Sequence, residues 1–174
     1  MTGWQPLVRD LVVRIEQDLL AVLDGLDPAL IDAVAIDGTN SIGWLLWHLT
    51  RSHDRNISEL RGRQQLWLTQ GWHAHFGRAA DPHDTGYRHS PAEAADFRSP
   101  RPEIIANYHR AVVEMIDDYL ETAPAGDPDR LASSPTLGNT VPVHQRLVGV
   151  LVDGLQHVGQ AALLCGILRS GQCA

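Results

Sequence analysis

The sequence predicts an all-α protein folded as a four-helix bundle. Four long segments repeat apolar residues at three- and four-residue spacing, no segment alternates with a convincing period of two, and leucine, isoleucine and valine fill the apolar positions. At 174 residues the chain is expected to form one domain spanning 1–174, since roughly 100–200 residues make a domain.

The first helix follows from Leu7, Leu11, Ile15, Leu19, Val22, Leu23 and Leu26, which share one helical face. The Asp-, Gly- and Pro-rich stretch DGLDPALIDAVAIDGTN ends it and leads to Thr39, Asn40 and Ser41, any of which can cap the next helix. The second helix runs from about Ile42 to about Arg61 on the stripe Ile42, Leu45, Leu46, Leu49, Ile57 and Leu60, with Gly62 placed as a terminator. Periodicity then fails between Arg63 and Pro100. A connection of this length in a small domain is functional or disordered, and Trp67, Trp72, Phe76 and Tyr87 argue for a packed excursion.

The third helix starts near Pro100 and Pro102 and buries Ile105, Tyr108, Val112, Met115, Ile116 and Tyr119. After the loop TAPAGDPDRLASSPTLGN, a fourth begins beyond Thr140, tolerates Pro142 in its first turn and reaches about Arg169, before Gly171. It is a rod of about 40 Å at 1.5 Å per residue. The long excursion from helix 2 to helix 3 leaves room for parallel neighbours and a non-simple winding order.

All 14 basic residues are arginine. The absence of lysine removes a Schiff-base lysine, a lysine general base and the lysine of a phosphate-binding loop. With 21 carboxylates the formal net charge is −7 at pH 7, which opposes long-range attraction to nucleic acid or an anionic membrane. The two cysteines, Cys165 and Cys173, make neither a disulfide framework nor a cysteine-rich zinc site, so a reducing cytosol is the expected compartment. Charges interrupt the amino-terminal segment before a signal peptide is formed, and no run approaches about 18 uninterrupted apolar residues.

The chemistry-bearing residues are among the nine histidines. Asp153 and His157 stand four apart on the fourth helix, which offers two ligands to one ion or a simple aspartate–histidine hydrogen bond. His48 borders the apolar stripe of the second helix and needs a partner for its ring nitrogens: the same ion, if the two helices adjoin, or a backbone carbonyl. His53, about 140° round from His48, and His109 are expected at the surface, and His144 is turned away from His157 by about 220°. His73, His75, His83 and His89 fall in the excursion, where they cover a site or are solvated. Two imidazoles and a carboxylate leave an open metal position; zinc is the first expectation, with iron(II), nickel or manganese also compatible. Cys165 reads as a neutral packing thiol.

The strings NSIGWLLWHLTRSHD, GRQQLW, WHAHFG, DPHDTGYRHSP and LVDGLQHVGQAALLCGIL together resemble the DinB-like superfamily, in particular its actinobacterial branch of mycothiol-dependent S-transferases. The resemblance spans about Gly38 to Leu168. It implies a four-helix bundle of unusual winding order with His48, Asp153 and His157 as metal ligands, Asp153 standing where many relatives carry histidine. It further implies mycothiol as co-substrate, activated as a thiolate for conjugation to small electrophiles. An isomerase of the maleylpyruvate type, or a non-catalytic, stress-associated metal-binding bundle, are the alternatives. Arg51 and Arg146 are candidates for an anionic part of the cofactor, and Tyr87 and His89 for the pocket mouth. Gly149, Gly154 and Gly159 on the fourth helix leave room for close packing, a homodimer contact or a ligand.

Overall fold

The computed structural model describes residues 3–171; Cys173 lies outside them. Four long helices form the bundle: α1 (Gln5–Leu23), α2 (Ile42–Leu60), α6 (Pro102–Thr122) and α7 (Val143–Gly171). Between α2 and α6 lie three short helices, α3 (Leu66–Thr69), α4 (Trp72–His75) and α5 (Pro91–Ala95). Around the core the order is α1, α7, α2, α6.

The directions are up, down, down, up. Gln5 Nε2 donates to the Ala123 carbonyl and Arg9 pairs with Asp117, so α1 and α6 are antiparallel. Arg169 reaches the Asp24 carbonyl at the far end, so α1 and α7 are parallel. Thr50 meets His109 and Ser58 meets Met115, which makes α2 and α6 parallel neighbours. A parallel pair needs a long return path, and the excursion supplies it.

α1 differs from its predicted face at the start. Val8, Val12, Ile15, Leu19 and Val22 are buried, while Leu7 is exposed. Leu7–Leu11 and Val8–Val12 are both four-residue pairs, but only the second continues to Ile15 in a four-three rhythm and makes an unbroken seam. For α2, Ser41 is the cap, accepting from the Trp44 N–H at 3.2 Å, and Gly62 ends the helix at φ 63°.

Nearly all of α2 is buried. The bundle covers one side and the excursion the other, so His53, expected at the surface, is fully enclosed, as is His109 on α6. The excursion is packed through Phe97, Trp47, Trp67 and Phe76, whose rings touch in that order. Arg51 and Asp54 fasten it. Asp54 accepts from the Leu66 and Trp67 N–H groups and from Tyr108 Oη.

The loop after α6 holds an antiparallel hairpin that the sequence did not signal, β1 (Leu131–Ser134) paired with β2 (Asn139–Pro142), Leu131 opposite Pro142. Strands of four residues are too short to display alternation. Pro142 closes β2, immediately before α7. α7 has the length and apolarity of a membrane span, but it packs along α1 and α2 as a bundle helix.

Candidate metal centre

Midway along the antiparallel pair α2/α7, one turn of α7 presents Asp153 and His157 to His48. His157 Nε2 lies 3.3 Å from Asp153 Oδ1 and His48 Nε2 lies 3.7 Å from the same oxygen. One donor atom from each residue falls within 4.8 Å of the others.

The other ring nitrogens are committed. His48 Nδ1 is 2.5 Å from the Thr85 carbonyl, and His157 Nδ1 is 2.8 Å from Gln160 Oε1. Both partners accept, so both Nδ1 atoms carry the hydrogen and both Nε2 atoms hold lone pairs in the neutral rings. Two imidazole lone pairs therefore point at a carboxylate oxygen, an arrangement that requires a cation or a proton between them. Asp153 Oδ2 is buried and has no hydrogen-bond partner. The residues fit a divalent ion: two nitrogens, one carboxylate, outer hydrogen bonds fixing both tautomers, and open coordination positions.

With a proton in that place, the rings become donors to the carboxylate. Burial opposes ionisation of Asp153, yet the hydrogen bonds from His157 and His48 outweigh it and hold the carboxyl well below its usual range. Burial likewise opposes a charge on His157, and the bonds to Asp153 and Gln160 reverse that, raising its pKa.

His48 is held on three sides. Trp44 stacks on its ring at 4.8 Å, and the Gly86 backbone passes over both. A Cβ at Gly86 would lie 2.9 Å from His48 Nδ1 and 2.9 Å from Trp44, and φ is +81°, so only glycine fits. On α7, Gly154 faces His53, leaving 2.7 Å from a Cβ to its Nε2, whereas Gly149 and Gly159 meet open space. Close helix packing explains Gly154 alone.

A cleft of about 390 Å³ opens beside the triad, between α2, α7 and the hairpin. Tyr87 lines it and is exposed. Arg146 also lines it, but pairs with Glu59 at 3.1 Å and donates to Asn139 Oδ1. His89 stands one layer back, accepting from Trp44 Nε1 at 3.3 Å. Arg51 is withdrawn altogether: fully buried under Trp67, it donates to Asp54, Tyr108, Gln65 and the Asp84 carbonyl, so its role is structural. His144 is exposed and bonds the Pro128 carbonyl; His73, His75 and His83 lie outside the triad. Cys165 is a buried thiol against the Val22 carbonyl, as its sequence setting suggests.

Sequence reasoning passed over Arg55, which lines the cleft. The signal was present: seven residues after His48 is two turns along the same face of α2.

The family model described as DinB superfamily matches residues 11–161. A crystal structure described as the conserved protein of locus from Enterococcus faecalis is similar in fold, with a TM-score of 0.85 and 23% identity over 98% of this chain and 99% of that one. No curated protein matches the chain.

Proposed function

The chain belongs to the DinB superfamily, and from that premise we propose that it is a cytosolic, metal-dependent thiol S-transferase that joins mycothiol to small electrophiles. One observation carries the reading: three donors, His48, Asp153 and His157, converge within 4.8 Å of one another at the edge of an open cleft. A divalent ion bound there, zinc by the donor set, supplies the Lewis acidity that favours the thiolate form of a thiol.

The chain's own residues do the rest. Thr85 and Gln160 fix the imidazole tautomers, Asp153 provides the negative charge, and Trp44 with Gly86 keeps the His48 ring from turning. Among the described residues no cysteine lines the cleft, since Cys165 lies beneath α1, so the reacting sulfur belongs to the co-substrate in this scheme.

Metal analysis tests the centre. Purified protein is expected to carry about one divalent ion per chain, and His157→Ala to lose it. Conjugation of monochlorobimane tests the reaction: a rate that needs both the ion and mycothiol supports the assignment, and equal rates with cysteine or 2-mercaptoethanol exclude a dedicated thiol.

A further inference from the structure

Arg55 is 92% buried by its 8% exposure, yet among the described residues it pairs with no carboxylate. Its single hydrogen bond is a long one, Nη1 to Thr85 Oγ1 at 3.4 Å, and its Nε is enclosed without a partner. A guanidinium is a strong donor group, and enclosing its Nε–H without an acceptor is unfavourable. Neighbouring carboxylates are already used: Glu59 binds Arg146, Ser134 and Thr136, and Asp153 faces the two histidines. Burial lowers the Arg55 pKa, with Glu59 the main charge acting against that.

The position is specific. Thr85 touches both groups, its carbonyl taking His48 Nδ1 and its hydroxyl taking Arg55. The guanidinium therefore lines the same cleft as His48 and Asp153, and Thr85 joins it to His48. Arg146 and Glu59 neutralise each other, as do Arg55 and Asp153 in formal charge, so a divalent ion leaves the cleft doubly positive. A thiolate removes half of that.

We propose that Arg55 anchors a carboxylate on the small molecule that enters the cleft, pairing with it through two N–H groups while the ligand's other end faces the metal centre. The second half of this statement rests on the proposed metal centre; the first does not. Mycothiol has no carboxylate, its cysteine carboxyl being tied up as an amide, so with that thiol the carboxylate belongs to the electrophile; a carboxylate on the thiol means that a different thiol is used.

Calorimetric titration of succinate and of its uncharged diamide, succinamide, into metal-free wild-type protein isolates Arg55 from the ion. Succinate is expected to bind about tenfold more tightly or better, the effect of a charge-assisted pair; equal binding overturns the proposal. Arg55→Gln is expected to abolish the preference and Arg55→Lys to keep part of it, with circular dichroism confirming the fold. A preference unchanged in Arg55→Gln also overturns it. With cobalt(II)-loaded protein, 3-mercaptopropionate is compared with 2-mercaptoethanol through the thiolate-to-cobalt absorption band. An Arg55-dependent advantage for the acid places the carboxylate on the thiol. An Arg55-dependent succinate signal that persists with 2-mercaptoethanol bound places it on the electrophile. Failure to bind cobalt overturns the metal centre and leaves the metal-free titration decisive for Arg55.

Discussion

Gln160 Oε1 accepts from Nδ1 of His157 at 2.8 Å, one turn further along α7, and so decides which nitrogen His157 offers to the triad. Gln160→Ala is expected to weaken metal binding by about tenfold to 100-fold, the usual effect of removing such an outer hydrogen bond. Competition with a zinc chelator measures it, and the metal-free melting temperature is expected to stay near that of the parent because Gln160 is exposed.

Gly86→Ala is expected to fail twice. The methyl group meets His48 and Trp44 at 2.9 Å, and the backbone at φ +81° resists a side chain, so a loss of about 2 kcal/mol or more is expected in urea unfolding. Weaker metal binding accompanies it, as the His48 ring must shift. An alanine at Gly149, which faces open space in α7, is the matched control and is expected to be neutral or stabilising.

Asp54→Ala leaves Arg51 charged and enclosed, with both side chains fully buried in the parent. It also removes the acceptor for the Leu66 and Trp67 amides and for Tyr108. A loss of about 3–5 kcal/mol is expected, the range for breaking a buried pair from one side. Proteolysis should then cut first between α2 and α6, where the excursion loses its fastening.

Two buried histidines set an acid limit on stability. Burial holds His53 at about 4 and His109 at about 3, against 6.5 for a free imidazole. Between those values the unfolded chain binds protons that the folded one refuses, so their contribution is full above pH 6.5 and declines as pH falls towards 4. The expected slope is about 1.4 kcal/mol per pH unit for each residue. His157, whose pKa is raised, acts in the other window, its contribution being lost as pH rises above 6.5. Urea unfolding of metal-free protein at pH 7, 6 and 5 reads the slope, and His109→Gln is expected to reduce it by about half.

Much of this was legible beforehand. Helix α6 buries the six residues its spacing assigns, and the His48–Asp153–His157 cluster was offered by a four-residue pair on α7 and a histidine at the edge of the α2 stripe, with the family resemblance deciding between a shared ion and simple hydrogen bonds. The failures share one cause. Single-helix periodicity assumes a wet side and a dry side, whereas α2 is dry on both because the excursion wraps it. His53 therefore looked solvated, Arg55 drew no notice, and Arg51 looked free to meet a ligand while its donors were being spent on holding the excursion down. The hairpin was missed for a different reason, since its pairing depends on a contact across the chain that four-residue strands do not advertise.

The winding order gives the centre a place in time. His48 emerges with the second long helix, but its two companions lie about 100 residues later, on a helix made after the rest of the bundle. An incomplete chain leaving the ribosome has one of three ligands and no grip on an ion. On the proposed metal centre, capture would wait until α7 docks between α1 and α2, and a bound ion would then be a late clip closing about 100 residues of chain, the kind of long loop whose closure restrains the unfolded state most. Metal supplied during refolding should therefore leave early collapse unchanged and slow the departure of α7.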